Sequence, residues 1–128
     1  MILLLDTSSA LARLILVSDG EYREYEWQAD RLLAKGLLGW IVDVLAETDM
    51  TFQDITGIGA RKGPGSFTGL RIGLTVLNTL ADSMAIPIVG ESSDEWRDVC
   101  VSRLKAGEND GIILPLYDRE ANITKPRK

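Results

Sequence analysis

The sequence predicts an α/β fold in which helices pack on a mixed β-sheet, and three observations lead to this prediction. The first thirty residues contain segments typical of three consecutive strands, and helical and strand-like segments then alternate along the chain. The chain has 128 residues, of which 45% are hydrophobic, so we expect one domain with a substantial core. A three-stranded meander followed by alternating helices and strands is typical of a mixed sheet covered by helices.

The three predicted N-terminal strands differ in their hydrophobic pattern. Residues 2–5 form a continuous apolar run, which indicates a central strand buried on both faces. Residues 10–17 predict a second strand, and Asp19-Gly20 is a strong signal for a two-residue hairpin turn. Residues 21–27 alternate charged and aromatic side chains, which predicts a third strand at the sheet edge.

The first predicted helix, residues 31–47, is apolar around most of its circumference. Between its ends only Lys35 and Asp43 are charged, although a surface helix should show a single apolar stripe. Gly36 and Gly39 each cost roughly 1 kcal/mol relative to alanine, but they permit close backbone approach. We expect one face to pack on the sheet and the other on a partner protein; complete burial in the core is the alternative.

The remaining segments predict a helix–strand alternation. Strands are expected at 55–61, 86–89 and 112–117, and helices from Ser66 or Phe67 to 85 and from 92 to about 106. Ser92 and Glu95 form a capping-box pattern, Gly107 is a C-cap, and Cys100 is a buried structural thiol. The order βββαβαβα predicts a mixed five-stranded sheet. With a final strand added, it matches the RNase H-like fold, the repeating unit of the actin and sugar-kinase superfamily.

Composition excludes several functions. The net charge of -5 disfavours stand-alone nucleic-acid binding, because phosphate contacts require a positive surface. The chain has no histidine, so a Ser-His or Cys-His nucleophile cannot be built and a protein-supplied zinc site is not expected. The single cysteine excludes an internal disulfide and indicates a reducing compartment. Only four consecutive apolar residues follow Met1, too few for a signal peptide or a membrane span, so a cytoplasmic location is expected.

The glycine-rich stretch RKGPGSFTGLR, residues 61–71, matches no common nucleotide or nucleophile motif. It lacks the lysine that follows the last glycine of a Walker A loop, and its serine stands one place too early for a lipase-type elbow. The GPG sequence indicates a tight turn, and Ser66 is a candidate N-cap for a helix whose free N–H groups could hold an anion. Gly69 and Gly73 share one helix face. They permit close packing on the chain's own sheet or on another helix, with Arg71 beside the contact.

Three segments together resemble the bacterial TsaB family, the small subunit of the machinery that makes threonylcarbamoyladenosine in transfer RNA. These are ILLLDTSS at residues 2–9, GPGSFTGLRIG at 63–73 and AIPIVGESS at 85–93. The central run is very specific, and the resemblance extends over nearly the whole chain.

The resemblance implies an organisation and a set of partners. Residues 1–110 correspond to the RNase H-like N-terminal domain, and residues 111–128 to a remnant strand of a second domain with a basic tail. The family's subunit is regarded as a non-catalytic scaffold for TsaD, with the ATPase TsaE completing the complex. We therefore expect no cofactor in this chain; ATP or ADP and a metal would enter through TsaD. A homodimer is expected when the chain is alone, with transfer RNA reached only through the complex and no membrane contact. A natural short form and a truncated piece of a longer chain are both compatible with the sequence.

The resemblance, together with the two glycine-bearing helices, predicts a partner-binding surface. Its expected members are Leu33, Gly36, Leu37, Trp40, Ser66, Phe67, Gly69, Arg71, Ile72, Gly73 and Val76. Relatives often carry a His-Ser pair where this chain has Leu33-Ala34. In the basic tail, Lys125, Arg127 and Lys128 could contact transfer RNA, but a solvated end is the favoured interpretation.

A second expected site lies at the first phosphate loop of the superfamily. Asp6, Thr7 and Ser8, with Gly63, Gly65 and Ser66, are candidate nucleotide or anion contacts. The favoured alternative is a strand end whose side chains cap the hairpin. A nucleotide-binding enzyme acting alone is the second functional hypothesis. A peptidase is the third, and the absence of histidine argues against it.

Overall fold

The protein is described by a computed structural model over residues 1–116. It contains five strands: β1 (Ile2–Asp6), β2 (Leu11–Ser18), β3 (Glu21–Gln28), β4 (Gly57–Arg61) and β5 (Ile88–Glu91). Three α-helices accompany them: α1 (Leu33–Glu47), α2 (Phe67–Met84) and α3 (Trp96–Lys105). Short 3₁₀ turns at Asp30–Leu32 and Phe52–Asp54 flank α1 on either side.

The strands form one mixed sheet in the order β3-β2-β1-β4-β5, which confirms the predicted five-stranded α/β architecture. β1 pairs antiparallel with β2 and parallel with β4, and β4 pairs parallel with β5. The predicted hairpin turn is confirmed, because Asp19 and Gly20 have φ angles of 52° and 81°, as this kind of turn requires. β3 lies at the sheet edge, as its alternating polar pattern predicts.

The helices cover the sheet in two layers, and β1 contributes to both. Leu3 and Leu5 belong to the larger core with α1 and α2, whereas Leu4 belongs to the smaller core with Trp96 and Cys100 of α3. Cys100 is completely buried, which confirms the prediction of a structural thiol. Burial raises the pKa of this thiol to about 12, so it stays protonated near neutral pH.

The third helix begins four residues later than predicted, so the capping-box assignment to Ser92 and Glu95 is wrong. β5 continues to Glu91, and the chain needs the next residues to turn before α3 starts. Glu95 precedes the helix without any side-chain cap. The predicted C-cap of α3 at Gly107 is confirmed. Gly107 has a φ of 85°, and Glu108 N donates to Arg103 O in a Schellman arrangement.

The predicted final strand is absent over residues 112–116, because side chains occupy the outer edge of β5. Asn109 Oδ1 accepts a hydrogen bond from Ile88 N at 3.1 Å, and Asp110 Oδ2 accepts one from Gly90 N at 3.0 Å. These two acceptors occupy the positions that a sixth strand would use. Tyr117, the basic tail and the rest of the predicted second-domain remnant lie outside the described residues.

Residues 112–116 are instead held in place by the Asn78 side chain and by backbone hydrogen bonds. The Asn78 amide bonds both the N–H and the C=O of Ile113, each at 2.9 Å, and Leu116 N donates to Lys62 O at 2.6 Å. Ile113 is buried, but Ile112 and Leu114 point outward.

Among the described residues, none of the helices combines the length and hydropathy that crossing a bilayer requires.

Arg103 links the end of α3 to this segment, which generates a stability prediction. Its guanidinium bonds the carboxylates of Glu91, Glu108 and Asp110 and lowers the pKa of Asp110. Replacing Arg103 with methionine should reduce the free energy of unfolding near pH 7 by about 1–3 kcal/mol. Because the folded-state pKa of Asp110 is lowered, its contribution is complete above its ordinary pKa of 3.8 and is lost as the pH falls below that value.

The measurement is urea unfolding of both proteins at several pH values from about 2.5 to 7, a range that extends below the ordinary pKa of an aspartate. The difference between Arg103→Met and the unchanged chain should shrink in acid. Lys105→Met, on the same helix, is the control and should change little. A difference that does not depend on pH would show that the carboxylate pairs do not supply the stabilisation.

Candidate partner-binding surface

Helix α2 starts where the loop after β4 meets the end of β1. Ser66 Oγ accepts a hydrogen bond from Gly69 N at 3.2 Å, which confirms Ser66 as the N-cap. Ser66 N donates to Ser8 O at 2.8 Å. The first turn of α2 is therefore bonded directly to the loop that follows β1.

The glycine face of α2 lies inward, against Thr7. A Cβ atom on Gly69 would lie 2.3 Å from Thr7 O, and one on Gly73 would lie 2.1 Å from Thr7 Oγ1. Thr7 Oγ1 also donates to Gly69 O at 2.7 Å, and all three residues are buried. The close approach that these glycines permit is thus with the chain's own Thr7, at the end of β1, so the prediction that Gly69 and Gly73 contact a partner is corrected.

The other candidate phosphate-loop groups are also engaged within the chain. Asp6 is buried, and its Oδ1 accepts hydrogen bonds from Ser8 N at 2.8 Å and Ser8 Oγ at 2.6 Å. Its Oδ2 lies 4.0 Å from Arg61 Nη1. A buried carboxylate at this position would repel an anion. The hydrogen bonds between Asp6 and Ser8 cap the end of β1 instead.

The two loop glycines also face protein atoms. A Cβ on Gly65 would lie 2.5 Å from Ser8 O, and one on Gly63 would lie 2.1 Å from Leu116 O. Nucleotide or anion binding by these residues and Ser66 stays a prediction. No cluster of three or more histidine, cysteine or acidic residues within residues 1–116 is arranged to hold a metal ion.

The α1 residues predicted to contact a partner lie on its inner side or against β3. Leu33 and Leu37 are buried in the main core, so they cannot form part of an exposed surface. A Cβ on Gly36 would lie 2.8 Å from Trp27 Cη2, and the Trp27 and Trp40 rings pack with their centroids 5.3 Å apart. Close approach at Gly36 therefore also takes place within the chain.

The outer side of α1 is nevertheless apolar. Leu38 and Val42 are 48% and 44% exposed, and a Cβ atom added to Gly39 would meet open space. Sequence reasoning missed Leu38 and Val42 because apolar residues cover most of the circumference of this helix. The i, i+4 spacing of Ala34, Leu38 and Val42 was the available signal.

A shallow groove continues this surface onto α2. It has a volume of about 410 Å³ and is lined by Ala34 of α1 and by five residues of α2. We call the combined surface the α1–α2 face; its members are Ala34, Leu38, Gly39, Val42, Thr68, Arg71, Ile72, Thr75 and Val76. Of the predicted contacts, it contains Arg71, Ile72 and Val76.

Phe67 and Ser66 lie at the N-terminal end of this face. The Phe67 side chain is 55% exposed, and the guanidinium carbon of Arg71 lies 5.1 Å from its ring centroid. At an exposed site, such a cation–π contact favours this placement of the guanidinium by about 0.5–1 kcal/mol. The face thus presents an apolar centre with a positioned cation near one end.

The fold and this surface together define an RNase H-like α/β domain of the actin-like type that presents an exposed helix pair. The family model described as "TsaD: tRNA N6-adenosine threonylcarbamoyltransferase" matches residues 27–99, more than half of the chain. The tRNA threonylcarbamoyladenosine biosynthesis protein TsaB of Bacillus subtilis is 36% identical over 91% of this chain and 49% of its own length. The Escherichia coli TsaB protein is 30% identical over 72% of this chain and 40% of its own length.

The structural comparison gives the same result. The solved structure described as YeaZ from Pseudomonas aeruginosa superposes with a TM-score of 0.66 and 32% identity, covering 71% of this chain and 43% of that one. The chain belongs to the TsaB/YeaZ family, within the group that the TsaD family model describes. It spans about half the length of the curated TsaB relatives just described.

The glycine contacts generate a prediction about stability. Gly73→Ala should reduce the free energy of unfolding by about 1–3 kcal/mol, since the new methyl group overlaps Thr7 Oγ1 in a packed site. The matched control is Gly39→Ala, in the middle of the exposed side of α1. It should be neutral or stabilise the protein by up to roughly 1 kcal/mol through helix propensity. Urea unfolding of both variants is the measurement, and equal effects would contradict the inward placement of Gly73.

Proposed function

We propose that this chain is a non-catalytic partner subunit of the machinery that makes threonylcarbamoyladenosine in transfer RNA, and that its α1–α2 face binds TsaD. The observation that carries the proposal is the exposure of Leu38 and Val42 on a helix whose opposite side already fills the core. Large exposed apolar side chains on adjacent helical turns are typical of a protein interaction surface. The names of the TsaB relatives supply the pathway.

The identity of the partner is supported by the extent of the family match. The model named for TsaD matches residues 27–99, a range that contains both α1 and α2. TsaD-type chains are therefore expected to carry a related helix pair. Two related surfaces can pair about a pseudo-twofold axis. In such a pair, when one residue contacts the equivalent of a second residue on the other chain, the second residue contacts the equivalent of the first.

The non-catalytic role is supported by the burial and hydrogen bonding of the side chains that could act as nucleophiles. No histidine is available as a base, and the thiol of Cys100 is buried with a pKa raised to about 12. The Ser66 hydroxyl caps α2, and the Thr7 hydroxyl donates to Gly69 O. Independent action as a nucleotide-binding enzyme has less support, since buried Asp6 opposes an anion at the candidate phosphate loop.

The rest of the proposal concerns the assembly around TsaD. TsaE completes the complex, ATP or ADP and a metal are bound through TsaD, and transfer RNA is reached through the complex. A cytoplasmic location is consistent with the proposed role in modifying transfer RNA. Each of these statements depends first on whether the α1–α2 face binds TsaD, which can be tested directly.

The test is calorimetric titration with TsaD from the same organism. Val42→Glu and Leu38→Glu should each weaken binding by at least about tenfold, because a carboxylate would have to be desolvated at the centre of the contact. Their free energies of unfolding should change little, since both side chains already face solvent.

The matched control is Leu114→Glu, which places the same charge at an apolar side chain that is 72% exposed but lies away from the α1–α2 face. This variant should bind TsaD as the unchanged chain does. Absence of binding by the unchanged chain at micromolar concentration would overturn the proposal. Equal weakening by Leu38→Glu and Leu114→Glu would place the contact elsewhere.

A further inference from the structure

The described part of the chain ends beside the first turn of α2. Leu116 N donates to Lys62 O at 2.6 Å. A Cβ atom on Gly63 would lie 2.1 Å from Leu116 O and 3.1 Å from Leu70 Cδ1. Residues 117–128, which lie outside the described residues, therefore start next to the N-terminal end of α2.

The two helices of the α1–α2 face both run away from this starting point. β3, β4 and β5 are all parallel to β1, because β1 and β3 each pair antiparallel with β2. Since α1 joins β3 to β4 and α2 joins β4 to β5, both helices run opposite to these strands. Their N-terminal ends lie together, because Ala34 and Thr68 line the same groove. A segment that starts beside α2 can thus follow both helices towards their C-terminal ends.

Exposed charges divide this helix pair into a basic end and an acidic end. Lys35 and Arg71 lie in the N-terminal halves of α1 and α2. Asp43 and Glu47 lie towards the C-terminal end of α1, and Asp82 lies in the last turn of α2. Across residues 1–116, no ion pair involves any of these five exposed side chains.

This distribution is the reverse of what a helix dipole favours. Acidic groups are favourable at helix N-termini and basic groups at C-termini. Neither helix has an acidic residue in its first turn or a basic residue in its last turn. The stability of the isolated helices therefore does not explain the pattern, whereas contact with an oppositely charged segment does.

Residues 117–128 carry their charges in the complementary order. The acidic side chains come first, at Asp118 and Glu120, and Arg119 between them offsets one of these charges. Ile123 lies near the middle of the segment. The last four residues include three basic side chains: Lys125, Arg127 and Lys128. A segment laid along the helices from N-terminal to C-terminal ends would thus bring its basic end to the acidic end of the face.

The segment is also long enough to do so. Residues 117–128 can span about 40 Å when extended. The 18 residues of α2 span only about 27 Å. The basic side chains near the end of the segment can therefore reach the last turns of both helices.

The acidic groups beside the preceding part of the chain are less available. Glu91 and Asp110 line a cavity with Leu114, but both carboxylates already bond the Arg103 guanidinium. Asp94 and Glu95, just before α3, are exposed and form no ion pair across residues 1–116. They are the alternative acidic site, but they lack the adjoining apolar surface that Leu38 and Val42 provide on α1.

We infer that residues 117–128 fold back over the α1–α2 face, with their basic end at the C-terminal ends of the two helices. Ile123 then lies over the apolar centre of the face, which Leu38, Val42, Ile72 and Val76 supply. Such a contact needs little affinity, because a short tether gives the segment an effective concentration in the millimolar range.

Only the consequence of this contact rests on the proposed function. The segment covers the surface proposed for TsaD, so TsaD must displace it in order to bind. The face would then be partly inhibited by its own chain, and the apparent affinity for TsaD would fall in proportion to the fraction of chains in which the face is free.

The first test places a nitroxide spin label on the segment through Thr124→Cys in the full chain. Cys100 stays unlabelled because it is completely buried. The methyl signals of the four apolar side chains at the centre of the face should broaden. Those of Ile15 and Val101, which pack in the α3 layer, should keep their widths. Absence of broadening on the face would show that the segment is a solvated end and would overturn the inference.

A mixing experiment separates contact within one chain from contact between two copies. A spin-labelled chain without isotopes is mixed with an isotope-labelled chain that carries no spin label. The methyl signals of the face should stay sharp in this mixture, because each segment covers its own face. Broadening as strong as in the singly labelled chain would overturn the inference.

Charge reversal tests the direction of the segment. Reversing its basic end, with Lys125→Glu, Arg127→Glu and Lys128→Glu together, should abolish the broadening. Asp43→Lys with Asp82→Lys should do the same, since like charges then meet. Combining the two sets should restore the broadening. The matched control, Asp94→Lys with Glu95→Lys, should leave it unchanged; loss of broadening in the control alone would place the segment beside α3 and overturn the inference.

Calorimetric titration with TsaD tests the consequence. The chain with its basic end reversed should bind TsaD at least about threefold more tightly than the unchanged chain, because its face is free. Equal affinities would overturn the inference that the segment covers the TsaD surface. A segment that contacts the face in a chain that does not bind TsaD would overturn only the proposed function.

Discussion

The close contact between Thr7 and the two glycines of α2 fixes the geometry on which the rest of the surface depends. Thr7 lies just after the central strand, and Gly69 and Gly73 let the helix backbone approach it where any side chain would overlap. The hydrogen bonds from Thr7 Oγ1 to Gly69 O and from Ser66 N to Ser8 O hold the same junction. Because the glycine side of α2 is committed to the end of β1, Ile72 and Val76 remain partly exposed beside α1 and Arg71 is exposed. The two glycines of α2 therefore serve chiefly to pack this helix against the end of β1. They affect partner binding only indirectly, by determining which α2 side chains are exposed on the α1–α2 face.

Much of the fold was predictable from the sequence, because local signals and burial agree there. The buried run of β1, the Asp19-Gly20 turn and the N-cap at Ser66 each have one strong local cause. Residues 112–116 do not form the last predicted strand, for a physical reason that local patterns do not contain. The alternation of Ile112, Leu114 and Leu116 is strand-like, but Asn109 and Asp110 from an earlier position in the chain already bond the edge of β5.

The candidate surface was predictable only in part, for a similar reason. A helix that is apolar all round does not indicate which side faces the sheet, so its pattern does not reveal that Leu33 and Leu37 fill the core instead of meeting a partner. The glycine pair on α2 correctly predicts a close approach but cannot specify what approaches. Only tertiary packing distinguishes the chain's own sheet from a second protein, and it leaves Leu38 and Val42 exposed on the other side of α1.

The central claim is that the α1–α2 face is where a TsaD partner docks, and methyl-based NMR with and without TsaD tests it most directly. If the face binds TsaD, the methyl signals of Leu38, Val42, Ile72 and Val76 shift or broaden when TsaD is added. The methyl signals of Ile112 and Leu114, which are also exposed but lie elsewhere, should stay unchanged. Perturbation confined to Ile112 and Leu114, or to Thr7 in the candidate phosphate loop, with the helix-face methyls unaffected, would contradict the claim.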